Sequence, residues 1–315
     1  MDKKALAVGS SDWHYHIHDE FNENGRRTTA KRVLIKQIYG VAKKLKVPHI
    51  FCGDMVHNKK HLQNELFNNL SLDLPKLSKE TVTYAISGNH DQCFANKDKK
   101  EYSPNYVKSF SRLIPNFKCV DFKSIETEKF IIHGLPYITH NEHYGKLIEK
   151  FKIKKGKPNI LLIHTDLPGA KDTSGREVGT VSGIPKEMNL FFDKFDLILS
   201  GHIHKKQRLT NKVIMLGAPD QQRRSDMGAS MGYWIIYDDL SLEFHKLEGP
   251  VYKYSEDPEN DEDKFNFLIQ KPEKVKVKKV GDKIKKTNVL SSYIMSNGFD
   301  SKQSKILRRY LKGYL

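Results

Sequence analysis

The chain has 315 residues, 38% of them hydrophobic, and a formal net charge of +16. This length is about twice that of a common single domain, so we expect one large domain and a smaller appendage. Its apolar runs are too short to span a bilayer, and three cysteines without CxxC spacing exclude a disulfide framework. The first residues lack an apolar signal segment, and we therefore expect a cytoplasmic protein.

The basic balance, with a sequence pI near 9.5, indicates an anionic partner. A basic surface attracts phosphate backbones or anionic lipid through long-range electrostatics. A lysine-rich composition without any partner is the alternative, and charge alone does not separate the two.

Short apolar runs alternate with longer helical patterns up to about residue 250. The predicted strands are Ala5–Ser10, His49–Cys52, Val82–Ile86, Phe130–Leu135, Asn159–His164, Leu197–Ser200, Val213–Leu216 and Tyr233–Tyr237. The predicted helices are Thr28–Lys46, Leu62–Leu77, Tyr106–Leu113 and Glu142–Phe151. This alternation predicts an α/β fold whose later strands form hairpins.

The composition changes after Pro250. Glu256–Asp263 holds six acidic residues, Lys271–Lys286 holds eight lysines, and apolar residues return only in Asn288–Leu315. We therefore predict a main domain over residues 1–250, a flexible charged linker over 251–287 and a small helical tail over 288–315.

Residues that can bind metals follow five of the predicted strands. They are Asp12, His14, Asp54, Asn89, His90, His164, His202 and His204. Ligands of open α/β sheets bind at the carboxyl ends of the strands, because the loops there converge on one crevice. We therefore expect these side chains to form one site.

The set combines carboxylate, amide and imidazole groups without a thiolate. Such ligands suit Mn²⁺, Fe²⁺ or Zn²⁺, with Mg²⁺ as a further possibility. Two ions about 3.5–4 Å apart clamp the attacking and leaving oxygens of an in-line displacement. They need a bridging carboxylate, and Asp54 is the natural candidate. The sequence predicts a two-metal phosphoesterase centre, with Mn²⁺ as the first candidate.

The motif series, over residues 5–246, resembles the calcineurin-like metallophosphoesterases. Phosphoprotein phosphatases of that superfamily usually continue their second motif as Gly-Asp-x-x-Asp-Arg-Gly, whereas this chain has Gly53-Asp54-Met55-Val56-His57. A histidine there, together with Gly88-Asn89-His90-Asp91, looks like the SbcD family of double-strand-break repair nucleases, which includes small subunits of phage recombination endonucleases. Gly134–Tyr137 and Leu216–Pro219 are also similar to that family.

The resemblance implies a two-sheet sandwich flanked by helices and a role for each site residue. Asp12, His14 and His204 would hold one ion, Asn89, His164 and His202 the other, and Asp54 both. His90 would contact the scissile phosphate and assist the leaving oxygen. His57 would orient the substrate or assist exonuclease action.

The resemblance also implies partners. The protein would act on DNA, as duplex ends, hairpins or single strands, and form a homodimer through a helical face near Leu62–Leu77. Its tail would bind an SMC-like ATPase of the SbcC type. A phage origin, with action in the host cytoplasm, is compatible with the lysine-rich usage.

Two departures from the family lie outside the predicted ligands. They are Tyr15–His18 after the first motif and Gln221–Arg224 after the last. His16 and His18 are expected as outer or surface groups and His133 as a core histidine. Asp91, and more weakly Asp166, could fix a metal-binding imidazole through its second nitrogen.

Basic residues near the predicted site would contact phosphates without reading sequence. They are Arg26, Arg27, Lys97, Lys99, Lys100, Lys205, Lys206, Arg208, Arg223 and Arg224. As a group they favour DNA, although each one singly is an ordinary surface residue. The alternatives are another calcineurin-like phosphodiesterase or phosphatase, and a non-catalytic DNA-end scaffold.

Overall fold

The computed structural model describes residues 3–18, 20–59, 61–93, 104–139, 143–178, 192–263 and 265–271. The chain divides into one compact unit over residues 1–270 and a second over residues 271–315. The predicted tail over 288–315 and residues 272–287 of the predicted linker lie outside the described residues.

The first half of the main unit alternates strands and helices. In chain order these are β1 (Ala5–Ser10), α1 (Arg26–Leu45), β2 (His49–Cys52), α2 (Asn64–Ser78), β3 (Thr83–Ile86), α3 (Tyr106–Leu113), β4 (Phe117–Cys119), β5 (Ser124–Glu126) and β6 (Ile131–Leu135). The second half is richer in strands. It has α4 (Tyr144–Glu149), β7 (Asn159–His164), β8 (Leu197–Gly201), β9 (Gln207–Arg208), β10 (Val213–Met215), β11 (Gly232–Tyr237), β12 (Leu242–Lys246), β13 (Tyr252–Ser255) and β14 (Phe267–Gln270).

The strands form two mixed six-stranded sheets. The first has the order β12-β11-β1-β2-β3-β4, and the second β5-β6-β7-β8-β10-β9. Strands β1 to β4 run parallel, as do β6, β7, β8 and β10. The outer strands pair antiparallel, and β11 with β12 forms the expected hairpin. The predicted two-sheet α/β sandwich is confirmed.

The sheets pack face to face, and helices cover their outer faces. Alternate residues of β7 divide between two clusters: Ile160 and Leu162 face the other sheet, whereas Leu161 and Ile163 pack with α4. Parallel strands buried on both faces are continuous apolar runs, which explains why the sequence located them so directly. Each such side chain contributes about 1.5–3 kcal/mol when fully buried.

Helix α2 carries a buried stripe made of Leu66, Leu70 and Leu74, which packs with α1 and α3. The apolar face predicted here is therefore core. Two further apolar side chains of the same helix remain exposed: Phe67 is 47% and Leu72 is 57% exposed.

The predicted linker needs a correction at its beginning, because residues 252–255 and 267–270 form a pair of parallel strands. Tyr252, Phe267 and Ile269 bury their side chains together with Phe21 and Met227. The intervening acidic run connects the two strands. Acidic residues dominate the composition of this segment, so its three buried apolar residues could not be recognised from the sequence.

Among the described residues, no helix is long and apolar enough to cross a membrane.

Candidate metal centre

Five parallel strands of the two sheets deliver the eight predicted site residues to one place. Asp12 and His14 follow β1, Asp54 follows β2, and Asn89 and His90 follow β3. The second sheet supplies His164 at the end of β7, then His202 and His204 after β8. The eight side chains thus lie together at the carboxyl ends of the strands, as expected.

Asp12, His14 and His204 form the first cluster, here named the His14 group. Their ligand atoms lie within 4.8 Å of one another. The Nε2 atoms of His14 and His204 are 3.2 Å apart, and Asp12 Oδ1 is 3.9 Å from His14 Nε2. Two ring nitrogens and a carboxylate oxygen thus face a common point.

The second cluster, the His164 group, contains Asp54, His164 and His202, whose ligand atoms also lie within 4.8 Å of one another. Asn89 completes it. Its Oδ1 is 3.2 Å from His164 Nε2 and 3.0 Å from His202 Nδ1. This composition, one carboxylate, one amide and two imidazoles, is the one assigned to the second ion.

Asp54 joins the two groups through a single oxygen. Its Oδ2 lies 3.5 Å from His14 Nε2 and 3.3 Å from His164 Nε2. A carboxylate in that position can bridge two cations. The residues present therefore fit two divalent metal ions, and the assignment of each ligand to one ion stays a prediction.

The backbone of the centre is held in an uncommon conformation. Four of the predicted ligands have positive φ angles: Asp12 (54°), His14 (46°), Asp54 (60°) and His202 (86°). Residues other than glycine adopt this left-handed region rarely, at a cost on the order of 1–3 kcal/mol each, and such strain clusters at functional sites.

Two glycines make the close packing of the ligand loops possible. Gly53 has φ of 90°, and a Cβ there would lie 2.5 Å from His164 Nδ1. A Cβ on Gly88 would collide with the carboxylate of Asp54. Any larger residue at either position would displace a predicted ligand.

Asp91 holds the two ligand loops together through backbone groups. Its Oδ2 accepts from the amides of Asp54 (2.8 Å) and Gly88 (2.9 Å), and its Oδ1 from those of Met55 (2.8 Å) and Val56 (3.1 Å). The partner expected for it was a metal-binding imidazole, so that expectation is corrected. Burial and the nearby Asp54 charge raise the pKa of Asp91, whereas the amide donors favour its anion.

His164 is oriented by the main chain, because its Nδ1 lies 2.7 Å from the carbonyl oxygen of Cys52. That nitrogen donates, which leaves Nε2 for the centre. Burial lowers the pKa of His164, but the Asp54 carboxylate outweighs it and raises the pKa to about 9. Burial opposes ionisation of Asp54 too, yet His164 and His14 hold the pKa of Asp54 well below its usual range. Both ligands must be deprotonated to hold a cation, so metal binding here would compete with protonation.

Two carboxylates approach the second nitrogens of other histidines. Asp166 Oδ1 is 3.5 Å from His202 Nε2, and Asp226 Oδ2 is 3.5 Å from His204 Nδ1. Asp166 was expected in this role, whereas Asp226 was missed. Ser11 was missed as well, and its hydroxyl donates to Asp12 Oδ2 at 2.5 Å. Ser11 could have been recognised from the sequence, because it directly precedes the predicted ligand Asp12.

His57 lies against the His14 group. Its Nδ1 is 3.2 Å from His14 Nδ1, and its main-chain carbonyl accepts from His90 Nδ1 at 2.6 Å. Burial and the neighbouring His90 lower the pKa of His57 to about 4, so its ring is neutral at neutral pH. Both predicted catalytic histidines therefore border the first predicted metal position.

The remaining histidines have defined positions. His133 is fully buried and bonds Ser124 Oγ (2.8 Å) and Asn159 Oδ1 (3.2 Å), as expected of a core histidine. His16 is half-buried and donates from Nδ1 to the carbonyl of His14 at 2.8 Å. His18, expected near the surface, is only 6% exposed, because its ring packs on that of His16 at 3.6 Å.

The predicted phosphate contacts divide into internal and exposed groups. Arg27 is buried and donates to the carbonyls of Gln221 (3.3 Å) and Gln222 (2.8 Å). Arg208 donates to the carbonyl of Leu242 and stacks on Trp234. These two arginines serve the fold, whereas the Arg223 side chain is 67% exposed. Lys97, Lys99 and Lys100 lie outside the described residues.

Comparison with known proteins agrees with this geometry. Residues 8–206 match the family model described as calcineurin-like phosphoesterase. The chain belongs to that family, whose members hydrolyse phosphoesters with divalent metal ions.

Two individual proteins illustrate how similar this chain is to known proteins in sequence and in fold. A protein of Invertebrate iridescent virus 6, provisionally named phosphoesterase 244L, is 24% identical over 198 residues, which are 60% of this chain and 64% of that protein. This chain thus spans less than two thirds of the viral relative. Among solved structures, GAP50, described as the anchor in the inner membrane complex of Plasmodium, aligns with a TM-score of 0.44 and 13% identity. The alignment covers 78% of this chain and 90% of that one.

Proposed function

We propose that this protein is a Mn²⁺-dependent DNA nuclease subunit that hydrolyses phosphodiester bonds with two metal ions. It would cut DNA as an exonuclease or endonuclease and act with an SMC-like ATPase of the SbcC type in end processing, recombination and repair. The observation that carries the proposal is His57, which stands where phosphoprotein phosphatases of the superfamily have an aspartate.

The geometry of His57 supports a role next to the reacting phosphate. When His14 directs Nε2 to a metal, its Nδ1 carries the hydrogen and donates to His57 Nδ1, 3.2 Å away. His57 then presents Nε2–H as a donor. An aspartate at this position would present negative charge instead, which would repel a phosphodiester.

We assign to His90 the role of the acid that assists the leaving oxygen. Its Nδ1 donates to the His57 carbonyl, so Nε2 is the nitrogen left for the substrate. General-acid help of this kind contributes about 10²–10⁴-fold to a rate. The two ions, when bound, supply Lewis-acid chemistry at the phosphoryl oxygens.

The basic composition and the exposed side chains of Arg223 and Arg224 (67% and 58%) support a polyanionic substrate. Phosphate contacts of this type position a strand and carry no sequence information. DNA is therefore the substrate we propose, ahead of a small phosphomonoester.

The test compares three substrates with the purified full chain in Mn²⁺: end-labelled linear and hairpin DNA, bis(4-nitrophenyl) phosphate and 4-nitrophenyl phosphate. We expect cleavage of DNA and of the diester, with little action on the monoester. Asp54→Asn prepared in the same way controls for a contaminating nuclease. Hydrolysis of the monoester without DNA cleavage would favour a phosphatase, and the absence of any hydrolysis a DNA-end scaffold.

Self-association is proposed through α2, since Phe67 and Leu72 are exposed apolar side chains on one helix. Analytical ultracentrifugation at micromolar concentration is expected to give a dimer for the wild type and a monomer for Phe67→Glu combined with Leu72→Glu. A monomeric wild type would contradict this.

The ATPase partnership depends on the apolar pattern of residues 288–315. Replacing Leu307 and Tyr310 by aspartate in the full chain is expected to abolish co-purification with an SbcC-type ATPase while DNA cleavage continues. Undiminished co-purification would assign the contact to another surface.

A further inference from the structure

A cavity of about 620 Å³ lies beside the predicted metal centre. His57 belongs to both, because it lines the cavity and contacts His14 of the His14 group. A ligand in the cavity would therefore be adjacent to a phosphate held at the metals.

One wall of the cavity is a column of imidazole rings. The ring centroids of His18 and His16 are 3.6 Å apart, those of His16 and His57 4.3 Å, and those of His57 and His90 4.9 Å. Both faces of the His16 and His57 rings are covered by neighbours in the column. One nitrogen of each ring is already engaged, His16 Nδ1 with the His14 carbonyl and His57 Nδ1 with His14 Nδ1, which leaves Nε2 of each ring for a ligand.

His18 marks this wall as unusual for a protein interior. It is 6% exposed and lines the cavity, yet its Nε2 has no hydrogen-bond partner among the described residues. Buried polar nitrogens are almost always paired, so one without a partner needs an explanation. This nitrogen is itself closed off from solvent, so the contacts with a ligand fall to His16 and His57, which also line the cavity.

The opposite side of the cavity is basic. The residues that line it include three arginines and one carboxylate, namely Arg27, Arg223, Arg224 and Glu20. Glu20 is already paired with Arg224 at 2.8 Å. Arg223 keeps an exposed guanidinium, 3.9 Å from the nearest oxygen of Asp226. Arg27 is buried against backbone carbonyls, so Arg223, despite its ion pair with Asp226, is the exposed guanidinium of the cavity best placed to meet a phosphate.

We propose that this cavity binds the unpaired nucleotide next to the scissile phosphate, with its outer phosphate on Arg223 and its base edge against the imidazole column. This inference rests on the proposed function and specifies the substrate of the same site. Base edges of unpaired nucleotides carry the donors and acceptors that imidazole edges complement. The volume lies within the range of about 300–1,000 Å³ typical of small-molecule sites, which accommodates a single nucleotide.

The first experiment uses two chromogenic diesters with the same leaving group, thymidine 3′-phosphate 5′-(4-nitrophenyl phosphate), whose 3′-phosphate serves as the outer phosphate, and bis(4-nitrophenyl) phosphate. The readout is the ratio of their kcat/KM values in Mn²⁺. We expect Arg223→Gln and His16→Ala each to lower this ratio by roughly tenfold, the effect of losing a hydrogen bond to a charged or buried group. Arg176→Gln removes the same charge from an exposed position that does not line the cavity, and its ratio should equal that of the wild type.

The second experiment measures binding of a fluorescent single-stranded oligonucleotide in EDTA, where no cleavage occurs. Arg223→Gln is expected to weaken binding and to reduce the slope of log affinity against log salt by about one, as loss of one phosphate contact predicts. Arg176→Gln should leave the slope unchanged.

Equal ratios and equal salt slopes for the two arginine variants would overturn the nucleotide site, and DNA cleavage by the wild type would leave the proposed function intact. Conversely, a wild type that fails to cleave DNA, combined with a lower ratio in Arg223→Gln, would retain the nucleotide site and refute the nuclease.

Discussion

The two halves of the metal centre have similar donors but different surroundings. In the His164 group, the His164 side chain is fully buried and held by the Cys52 carbonyl, whereas the His202 side chain is 26% exposed. The His14 group adjoins His57, which lines the cavity. Ligand chemistry alone would make the halves equivalent. Among the described residues, both halves can hold a cation, and the His14 side also adjoins a cavity that could accommodate the surroundings of a phosphate.

Asp54→Asn tests what the halves share, and we expect it to have the largest effect. Asp54 Oδ2, which lies 3.5 Å from His14 Nε2 and 3.3 Å from His164 Nε2, would become a neutral amide oxygen or an NH₂ group. Binding of both ions should fall, and the loss of diester hydrolysis should exceed the range of about 10²–10⁴-fold that one acid–base group provides. Metal content and steady-state rates check this, with the exposed Asp193→Asn as control. Two ions retained at full occupancy would refute the bridge.

His90→Ala separates the substrate-facing side from the ligands. We expect hydrolysis to fall by about 10²–10⁴-fold, because the leaving oxygen loses its acid. Metal content should be unchanged if His90 is a substrate-facing group, because the proposed ligands are those of the His14 and His164 groups, although His90 also lies close to His14 and His57. Loss of an ion from this variant would make His90 a ligand and shift the boundary between the two halves.

Asp91→Asn is expected to loosen the loops that carry Asp54 and Asn89, because its carboxylate binds their backbone amides. An amide NH₂ in place of one oxygen leaves two backbone N–H groups unpaired, at a cost of about 1–3 kcal/mol each in the free energy of unfolding. Urea denaturation measures this, and Asp193→Asn removes a carboxylate that is 72% exposed as the comparison. Unchanged stability would mean that these amides find other partners.

Asp226→Asn and Asp166→Asn form a matched pair, one for each half. Asp226 adjoins His204 in the His14 group, and Asp166 adjoins His202 in the His164 group. Loss of such an outer contact typically lowers metal affinity or activity by about 10–100-fold. Titration with Mn²⁺ should show one weakened ion in each variant and a different one in each. If both variants weakened the same ion, the division of ligands between the halves would be wrong.

The sequence was informative where an apolar run and a motif adjoin. Strands β1, β2, β3, β7 and β8 are buried runs followed within a few residues by their ligands, so both the fold and the convergence of the eight residues could be predicted. The contacts of Asp226 and Asp91 were different. Asp226 reaches His204 across 22 residues and a loop, and Asp91 binds backbone amides, which leave no mark in side-chain patterns.

The edges of the fold were also less accessible to sequence reasoning. Strands β4, β5 and β9 have only two or three residues each, too few to establish a period. Strands β13 and β14 are separated by an acidic run, so their three buried apolar residues did not form a continuous pattern. The imidazole column had a visible signal in His14-x-His16-x-His18, but its stacking depends on the turn after β1.

The ligands are far apart in the sequence, so the ribosome synthesises them at different times. The backbone amide of His202 donates to both carboxylate oxygens of Asp12, 190 residues earlier in the chain. During translation, Asp12 emerges long before its partners, and the centre cannot be assembled until β8 has followed. Metal uptake therefore reports that β8 has joined the earlier strands, so a chain stalled before residue 202 would lack the centre however well β1 to β4 had paired.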